Sequence, residues 1–448
     1  MEVIFESKYD VRDPAILDKI ADSYSYKITG ERNNIKFLCC ACISKDLPRK
    51  YRLSTIITSQ SSAGKSNLVN NVLAPFQKDV IDYTDYTPAF LKRQNLNFDG
   101  KIFKVEQMER TNEKNQVSMY SLKFLLSEGM LRVGLVERNE KGRNMPQTLE
   151  VTGIPVFVST STNFNIDPET LNRTFLMQVD ETEAQTKKVV EHILKDYSTL
   201  AINDQWHAEL KELEKLVYIY KDLAHQITDV LIPFGKQIED KIPTANITIR
   251  RDLTKILNLT CVLAFIHASN RIRIQNTDGG DFLVGSFGET EKRHTYALVA
   301  EPSDFKEALG IAGSTIKQTL NKLNESSMEI YEKIKKACKD KTVENQIQQA
   351  LDPQITEGVT VKEMAVILRK SDNRTRELVN QLWAAGFLTR EKQKSKEYVY
   401  YLTDKEFEQI NIDDIDFSCD ELEQWIREQT GKYSEKLKVF YPTDNFVV

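Results

Sequence analysis

Histidine is scarce, with five scattered through 448 residues. That leaves no His-rich metal site and no His-based acid–base chemistry to expect. Cysteine is nearly as sparse, at six. Cys39, Cys40 and Cys42 sit close together, but inside the apolar run I-K-F-L-C-C-A-C-I, and no second pair lies nearby to complete a zinc tetrad. They read as buried thiols in a reducing cytoplasm. No apolar run approaches the ~20 residues of a membrane span, so no membrane partner is expected. The opening M-E-V-I-F-E-S-K lacks the basic start and apolar core of a signal peptide, which predicts a cytoplasmic chain. Positive charge is not in excess either. The net charge is −5, so any nucleic-acid contact has to come from local basic patches. With 40 % hydrophobic and 28 % charged residues the composition is that of a globular protein, and the length predicts two or three domains of roughly 100–200 residues.

What is present is organised around Leu53 to Phe76, L-S-T-I-I-T-S-Q-S-S-A-G-K-S-N-L-V-N-N-V-L-A-P-F. Ser54 to Thr58 is apolar and β-branched and reads as a buried strand. Small residues from Ser59 to Gly64 predict a tight turn. Lys65 and Ser66 then open a helix whose apolar face is Leu68, Val72 and Leu73. A strand, a small-residue turn and a helix starting on Lys-Ser make a phosphate cradle, because loop N–H groups and the helix N-terminus attract anions. Ser61, Ser62, Ala63, Gly64, Lys65 and Ser66 are the expected contacts to ATP and Mg2+. Lys65 would reach the terminal phosphates and the Ser66 hydroxyl would ligate magnesium. The usual pattern has glycine six positions before the lysine; Ser59 stands there.

Upstream, Asp18 to Tyr26 and Asn34 to Ser44 read as helices. Downstream, Lys78 to Thr84 and Lys101 to Val105 read as strands, the latter ending on Glu106-Gln107. An acid at the end of a buried strand after a phosphate loop is placed for magnesium coordination and water activation. Here the second acid of the usual tandem is Gln107, so the role falls to Glu106 or to a neighbour such as Glu109, or hydrolysis is slow. Gln116 to Ser127 is amphipathic. Leu131 to Val136 and Thr148 to Val151 alternate as hairpin arms, with Arg138, Lys141 and Arg143 at the tip. Such a tip either tracks a phosphate backbone or is a solvated loop. Ile154 to Thr160 is another buried strand. It leads to Asn163, a residue type that orients an attacking water. Asp167-Pro168-Glu169-Thr170 caps a short helix before Arg173, which is placed as an arginine finger or as a surface ion pair. Glu183 to Tyr197, His207 to Thr228 and Ile247 to His267 read as helices, the last with Arg250 and Arg251 at its start. Asn276 to Glu291 reads as a hairpin or loop insertion. A helix from Pro302 to about Leu309 is followed by another from Ser314.

Thr360 to Leu402 is a separate unit. Two helices, Val361 to Leu368 and Asn373 to Ala385, a stop at Gly386, and strands around the basic turn Arg390 to Lys396 make a winged-helix pattern. Such a unit either binds DNA or docks proteins, and Arg374 and Arg376 on its second helix are the candidate duplex-DNA contacts. The segment from Asp404 onward is acidic.

The order of these pieces resembles the AAA+ core of the minichromosome maintenance (MCM) helicases. D-K-I-A-D-S-Y-S-Y-K-I-T-G-E-R is similar to that family's lead into the P-loop, L-L-S-E-G-M-L-R-V-G-L to its pre-sensor hairpin, and V-S-T-S-T-N to its sensor-1 strand. L-N-R-T-F-L-M-Q-V-D is similar to its finger segment, and I-T-I-R-R-D-L-T-K-I-L to its sensor-2 lid helix. The resemblance covers about residues 15–320. It implies an α/β P-loop AAA+ ATPase core with a helical lid and a C-terminal winged-helix domain. The divisions are 1–50 (helical lead-in), 51–182 (core), 183–345 (lid), 352–403 (winged helix) and 404–448 (acidic tail). It also implies a homo-hexameric DNA helicase or translocase acting in replication, of the kind found on mobile elements, and nucleoid-associated in a prokaryotic or viral setting. Lys65, Ser66, Glu106 and Asn163 would act from one subunit, and Arg173 with Arg250 or Arg251 from the next. Single-stranded DNA would pass the hairpin in the ring channel, with Lys141 as its leading contact. Three features depart from the family: its N-terminal DNA-binding domain with a zinc site is absent, Ser59-Gln60-Ser61-Ser62 replaces glycine-rich residues, and the acidic pair is Glu-Gln. The alternative reading is an AAA+ initiator or loader that assembles on DNA without unwinding.

Overall fold

A computed structural model describes residues 7–84, 97–106, 113–138, 144–162, 168–198, 204–239, 241–244, 249–276, 296–321, 323, 327–328, 330–336, 358–392, 397–408, 410, 417–431 and 437–442. The chain forms two compact units. One comprises 1–241, 250–312 and 412–448; the other comprises 242–249 and 313–411.

The first unit is built on a five-stranded parallel sheet. Its strands are β1 (Thr55–Thr58), β2 (Val80–Tyr83), β3 (Ile102–Val105), β6 (Val156–Ser161) and β7 (Phe175–Gln178), in the order β2-β3-β6-β1-β7. Every residue of β1, β3 and β6 is buried. This is why they read as continuous runs without alternation, as strands covered on both faces must. Helices α1 (Ile16–Ser23) and α2 (Arg32–Ile43) precede the sheet, and α3 (Lys65–Leu73) follows β1. Phe37 of α2 stacks on Phe175 at 4.7 Å between ring centroids. Cys39, Cys40 and Cys42 are buried, and burial pushes the Cys39 thiol up to about 12, so it stays protonated and inert. A second cluster holds Phe98, Phe103 and Phe157 against Leu122 and Leu125 of α4 (Glu113–Glu128).

After β1 the chain crosses to β2 and returns through β3 and β6 before adding β7 on the other side. The order reverses at β1, and ligands of open parallel sheets bind at the carboxyl ends of strands where the order reverses. Strand and helix order therefore put the Ser59–Gly64 loop at that edge, beside the reversal.

The arms β4 (Met130–Arg138) and β5 (Asn144–Thr152) pair antiparallel over their whole length, Met130 opposite Thr152 and Arg138 opposite Asn144. They are longer than the sequence pattern predicts. Arg138 thus ends an arm, and residues 139–143, with Lys141 and Arg143, lie outside the described residues. The arms' base is packed by Leu131 and Val151, whereas Val136 and Met145 near the far end are 69 % and 50 % exposed. A two-stranded ribbon is marginal in water by itself, so its distal half gains little from this chain.

Three expectations are corrected. The stretch from His207 to Thr228 is not helical throughout: after α5 (Pro168–Leu171) and α6 (Glu183–Ser198), α7 (Asp204–Ala224) ends and β8 (Ile227–Leu231) follows. The region read as a helical lid contains a sheet in the order β14-β9-β10-β8, formed with β9 (Arg273–Asn276), β10 (Tyr296–Val299) and β14 (Leu437–Phe440). The last strand comes from the acidic tail, whose charge masks the apolar L-K-V-F that pairs with β9. Finally, after α8 (Gly235–Glu239) and α9 (Ile249–Ile266), α10 runs unbroken from Pro302 to Asn321 across Gly310 and Gly313. Each interior glycine costs about 1 kcal/mol in helix propensity. Buried Phe305, Ala308, Ile311, Ala312 and Ile316 along one face outweigh that cost.

In the second unit, β11 (Val359–Thr360) leads to α11 (Val361–Leu368) and α12 (Asp372–Ala384). The strands β12 (Leu388–Lys392) and β13 (Tyr398–Leu402) complete an antiparallel sheet in the order β11-β13-β12. Thr360 and Glu363 form a reciprocal capping box at the start of α11. Gly386, at φ +82°, turns the chain out of α12 into Phe387, which is fully buried against Tyr331.

Candidate functional site

The C-terminal edge of the parallel sheet brings the central candidates together. Ser59 N–H donates to Ser161 O at 3.3 Å, tying the start of the loop to the end of β6. The Thr160 hydroxyl donates to Glu106 O, and Glu106 N–H donates to Tyr83 O at 3.1 Å. The backbone of Glu106 is thereby fixed between β2 and β6, one residue beyond β3. The register sets Val105 beside Ser159, and Thr58 beside Ser161. Gln107, Glu109 and Asn163 lie outside the described residues.

Within the loop, Ser62 (φ +70°) and Gly64 (φ +91°) both take left-handed backbone. Nothing lies within 4 Å of a Cβ built at Gly64, so the dihedral and not the space selects glycine. Ser62 bears the same conformation at a cost of about 1–2 kcal/mol. The first turn of α3 has no side-chain cap, which leaves its N–H groups for an anion. Ser61, Ser62, Gly64 and Ser66 are exposed and Ala63 is half-buried, so the cradle opens to solvent.

Lys65 is buried. Its Nζ donates to Ser59 O (2.8 Å), Ser59 Oγ (2.9 Å) and Gln60 O (2.7 Å). Burial holds its pKa below the ordinary lysine value, while the Glu181 carboxylate opposes that shift. The ammonium is therefore held by neutral carbonyl and hydroxyl oxygens, a set that phosphate oxygens would replace with stronger charge-assisted bonds. Ser66 and Glu106 fit magnesium in the limited sense that such sites require. Among the described residues no group of three His, Cys, Asp or Glu could hold a metal ion alone, and Mg2+ is ordinarily held by one or two protein oxygens plus phosphates and water.

Glu181 was not found by sequence reasoning. Its Oε1 accepts from the Gln60 N–H at 2.5 Å, so a carboxylate holds an amide of the Ser59–Gly64 loop. The contact spans 121 positions and has no local signal. Glu181→Gln keeps an acceptor but removes the charge. It is expected to tighten ATP binding several-fold, from about 1 kcal/mol of relieved repulsion, when titrated with a fluorescent nucleotide. Weaker binding would mean instead that the carboxylate serves the nucleotide.

Arg173 lies elsewhere. It sits two residues before β7, whose first residue Phe175 pairs with Thr55 at the beginning of β1. At ~3.3 Å per residue this edge is more than ~10 Å from the loop. Its Nε donates to Ser127 Oγ (2.5 Å) and its Nη1 to Glu169 O (2.8 Å). Arg250 and Arg251 are exposed on the first turn of α9. Lys255, four residues after Arg251 and so on its face, donates to Leu171 O (3.2 Å) and Thr174 O (3.4 Å). This face of α9 and Arg173 thus share the edge opposite the cradle. In the second unit Arg374 is paired with Glu377 at 2.9 Å, and Arg376 is exposed.

No family model matches the chain, and neither does any curated relative. Among solved structures it is similar to a full-length MCM homolog from Methanopyrus kandleri, with a TM-score of 0.37 and 12 % identity over 67 % of this chain. That match spans 61 % of the homolog, less than two thirds of its length. It is similar to the apo NrS-1 C-terminal region (TM-score 0.28, 12 % identity, 89 % of this chain and 78 % of that one). It is also similar to an inhibitor-bound JCV helicase (TM-score 0.27, 11 % identity, 55 % and 63 %). No helix among the described residues is long and apolar enough to cross a membrane.

Proposed function

We propose that this chain is an ATP-dependent, MCM-like motor of DNA replication that works as a homo-oligomeric ring, a hexamer, on single-stranded DNA. The observation that carries the reading is the edge where Lys65, the uncapped start of α3 and Glu106 converge, together with the position of Arg173 on the opposite edge. One subunit supplies the cradle, with Lys65 and Ser66 on the phosphates and magnesium, Glu106 on the attacking water and Asn163 beside it. Arg173 of the next subunit completes the site. Arg251 is favoured over Arg250 as the second arginine, since it shares the Lys255 face. The second unit is a winged helix that contacts duplex DNA through Arg376 and, once released from Glu377, Arg374.

ATP hydrolysis measured with and without single-stranded DNA tests the reading. A motor is stimulated by the strand. A loader that only assembles on DNA, the alternative to which Gln107 in place of a second acid points, is not.

The hairpin carries the strand contact through Arg138, Lys141 and Arg143. Replacing all three by alanine is expected to flatten the salt dependence of single-strand binding by about 2 in log–log slope, from ~0.7 per phosphate contact. ATP affinity should be unchanged. Equal slopes for variant and parent would make the tip a solvated loop.

A further inference from the structure

The second unit carries a constellation that the proposed function does not use. The Arg390 guanidinium lies 3.6 Å from the ring centroid of Trp383 and 4.5 Å from that of Tyr398. Trp383 is in the last turn of α12, Arg390 is in β12, and Tyr398 opens β13, diagonal to Arg390 across the pair. Arg390 Nη1 reaches Asn380 Oδ1 at 3.5 Å, and among the described residues no carboxylate lies within ion-pair distance of it. Lys392, directly opposite Tyr398, adds a second cation. Trp383 and Tyr398 are each 40 % exposed.

Arg390 is half-buried against these two exposed aromatic residues, and among the described residues it has no carboxylate partner. That combination suits a nucleobase: the base stacks on an aromatic face, and the cation takes the phosphate beside it. In a duplex the base faces are covered by their neighbours, so only an unpaired nucleotide offers one. We propose that Trp383, Arg390 and Tyr398 form a stacking platform for one unpaired base. This rests on the nucleic-acid reading above but concerns a different surface and a different chemistry.

The full chain is titrated with oligo(dT) and with an abasic oligomer of equal length, which has the same backbone charge and no bases. Trp383 emission is followed as the difference between the parent and Trp383→Phe, since Trp206 and Trp425 remain in both. The expected result is quenching of Trp383 by oligo(dT) and none by the abasic strand. Trp383→Leu is expected to lose about ten-fold in affinity for oligo(dT), the usual size of one stacking contact, with Trp383→Phe near the parent and both variants hydrolysing ATP normally. Binding of both strands without quenching, or equal losses for both strands in Trp383→Leu, overturns the platform while leaving the motor reading intact. No binding of either strand by the parent overturns the platform as well, and ATP hydrolysis then reports separately on the nucleotide site.

Discussion

Lys65→Ala is expected to abolish ATP hydrolysis and to weaken ATP binding roughly ten- to a hundred-fold, the size of one lost charge-assisted hydrogen bond of about 1.5–3 kcal/mol. The ammonium is held by three neutral oxygens of its own loop, Ser59 O, Ser59 Oγ and Gln60 O. These position it without neutralising it, so its charge is available to phosphates. Thermal unfolding gives a readout independent of turnover. At a hundred times its dissociation constant, ATP should stabilise the parent by about 2.7 kcal/mol, and the same concentration should stabilise the variant far less. Undiminished ATP stabilisation in Lys65→Ala would sink the cradle assignment, whatever the hydrolysis rate.

The strand, turn and helix around Lys65 are legible in the sequence because they are contiguous. Thr55 to Thr58 is short, β-branched and buried on both faces, and the turn and α3 follow at once. Helices α11 and α12 and strands β12 and β13 were legible for a similar reason, being contiguous and punctuated by Gly386, whereas the rest of the second unit, 242–249 and 313–358, was not read as part of it. The sheet formed by β8, β9, β10 and β14 was not. Its strands have four or five residues, and β9 finds its partner β14 some 160 positions later. Alternation over so few residues does not stand out from a helical pattern, and pairing at that separation leaves no trace in spacing. Gly310 and Gly313 misled in the other direction, since propensity alone breaks a helix that burial holds together. Glu181 and the Trp383–Arg390–Tyr398 stack escaped because their roles come from what the fold places opposite them.

Arg173 gives the second large effect. It sits two residues before β7, and the four residues of β1 separate that edge from its own phosphate loop. In the proposed ring its contribution to catalysis would come from the neighbouring subunit. An arginine finger is worth about 10³–10⁵ in turnover, so Arg173→Ala is expected to lose at least about a thousand-fold in kcat while ATP affinity changes little. Among the described residues it forfeits the bonds to Ser127 and Glu169, a cost of about 1 kcal/mol each. Failure to fold is thus not the expected cause. Arg173→Lys should recover little, because a point charge does not replace a planar fork. Mixing decides the matter. Arg173→Ala subunits keep an intact cradle and Lys65→Ala subunits keep an intact finger, so a mixed ring contains interfaces in which both halves are sound. Activity above that of either variant alone is the expected result. If no mixing ratio exceeds the separate variants, Arg173 is a surface residue and the shared site has to be sought elsewhere.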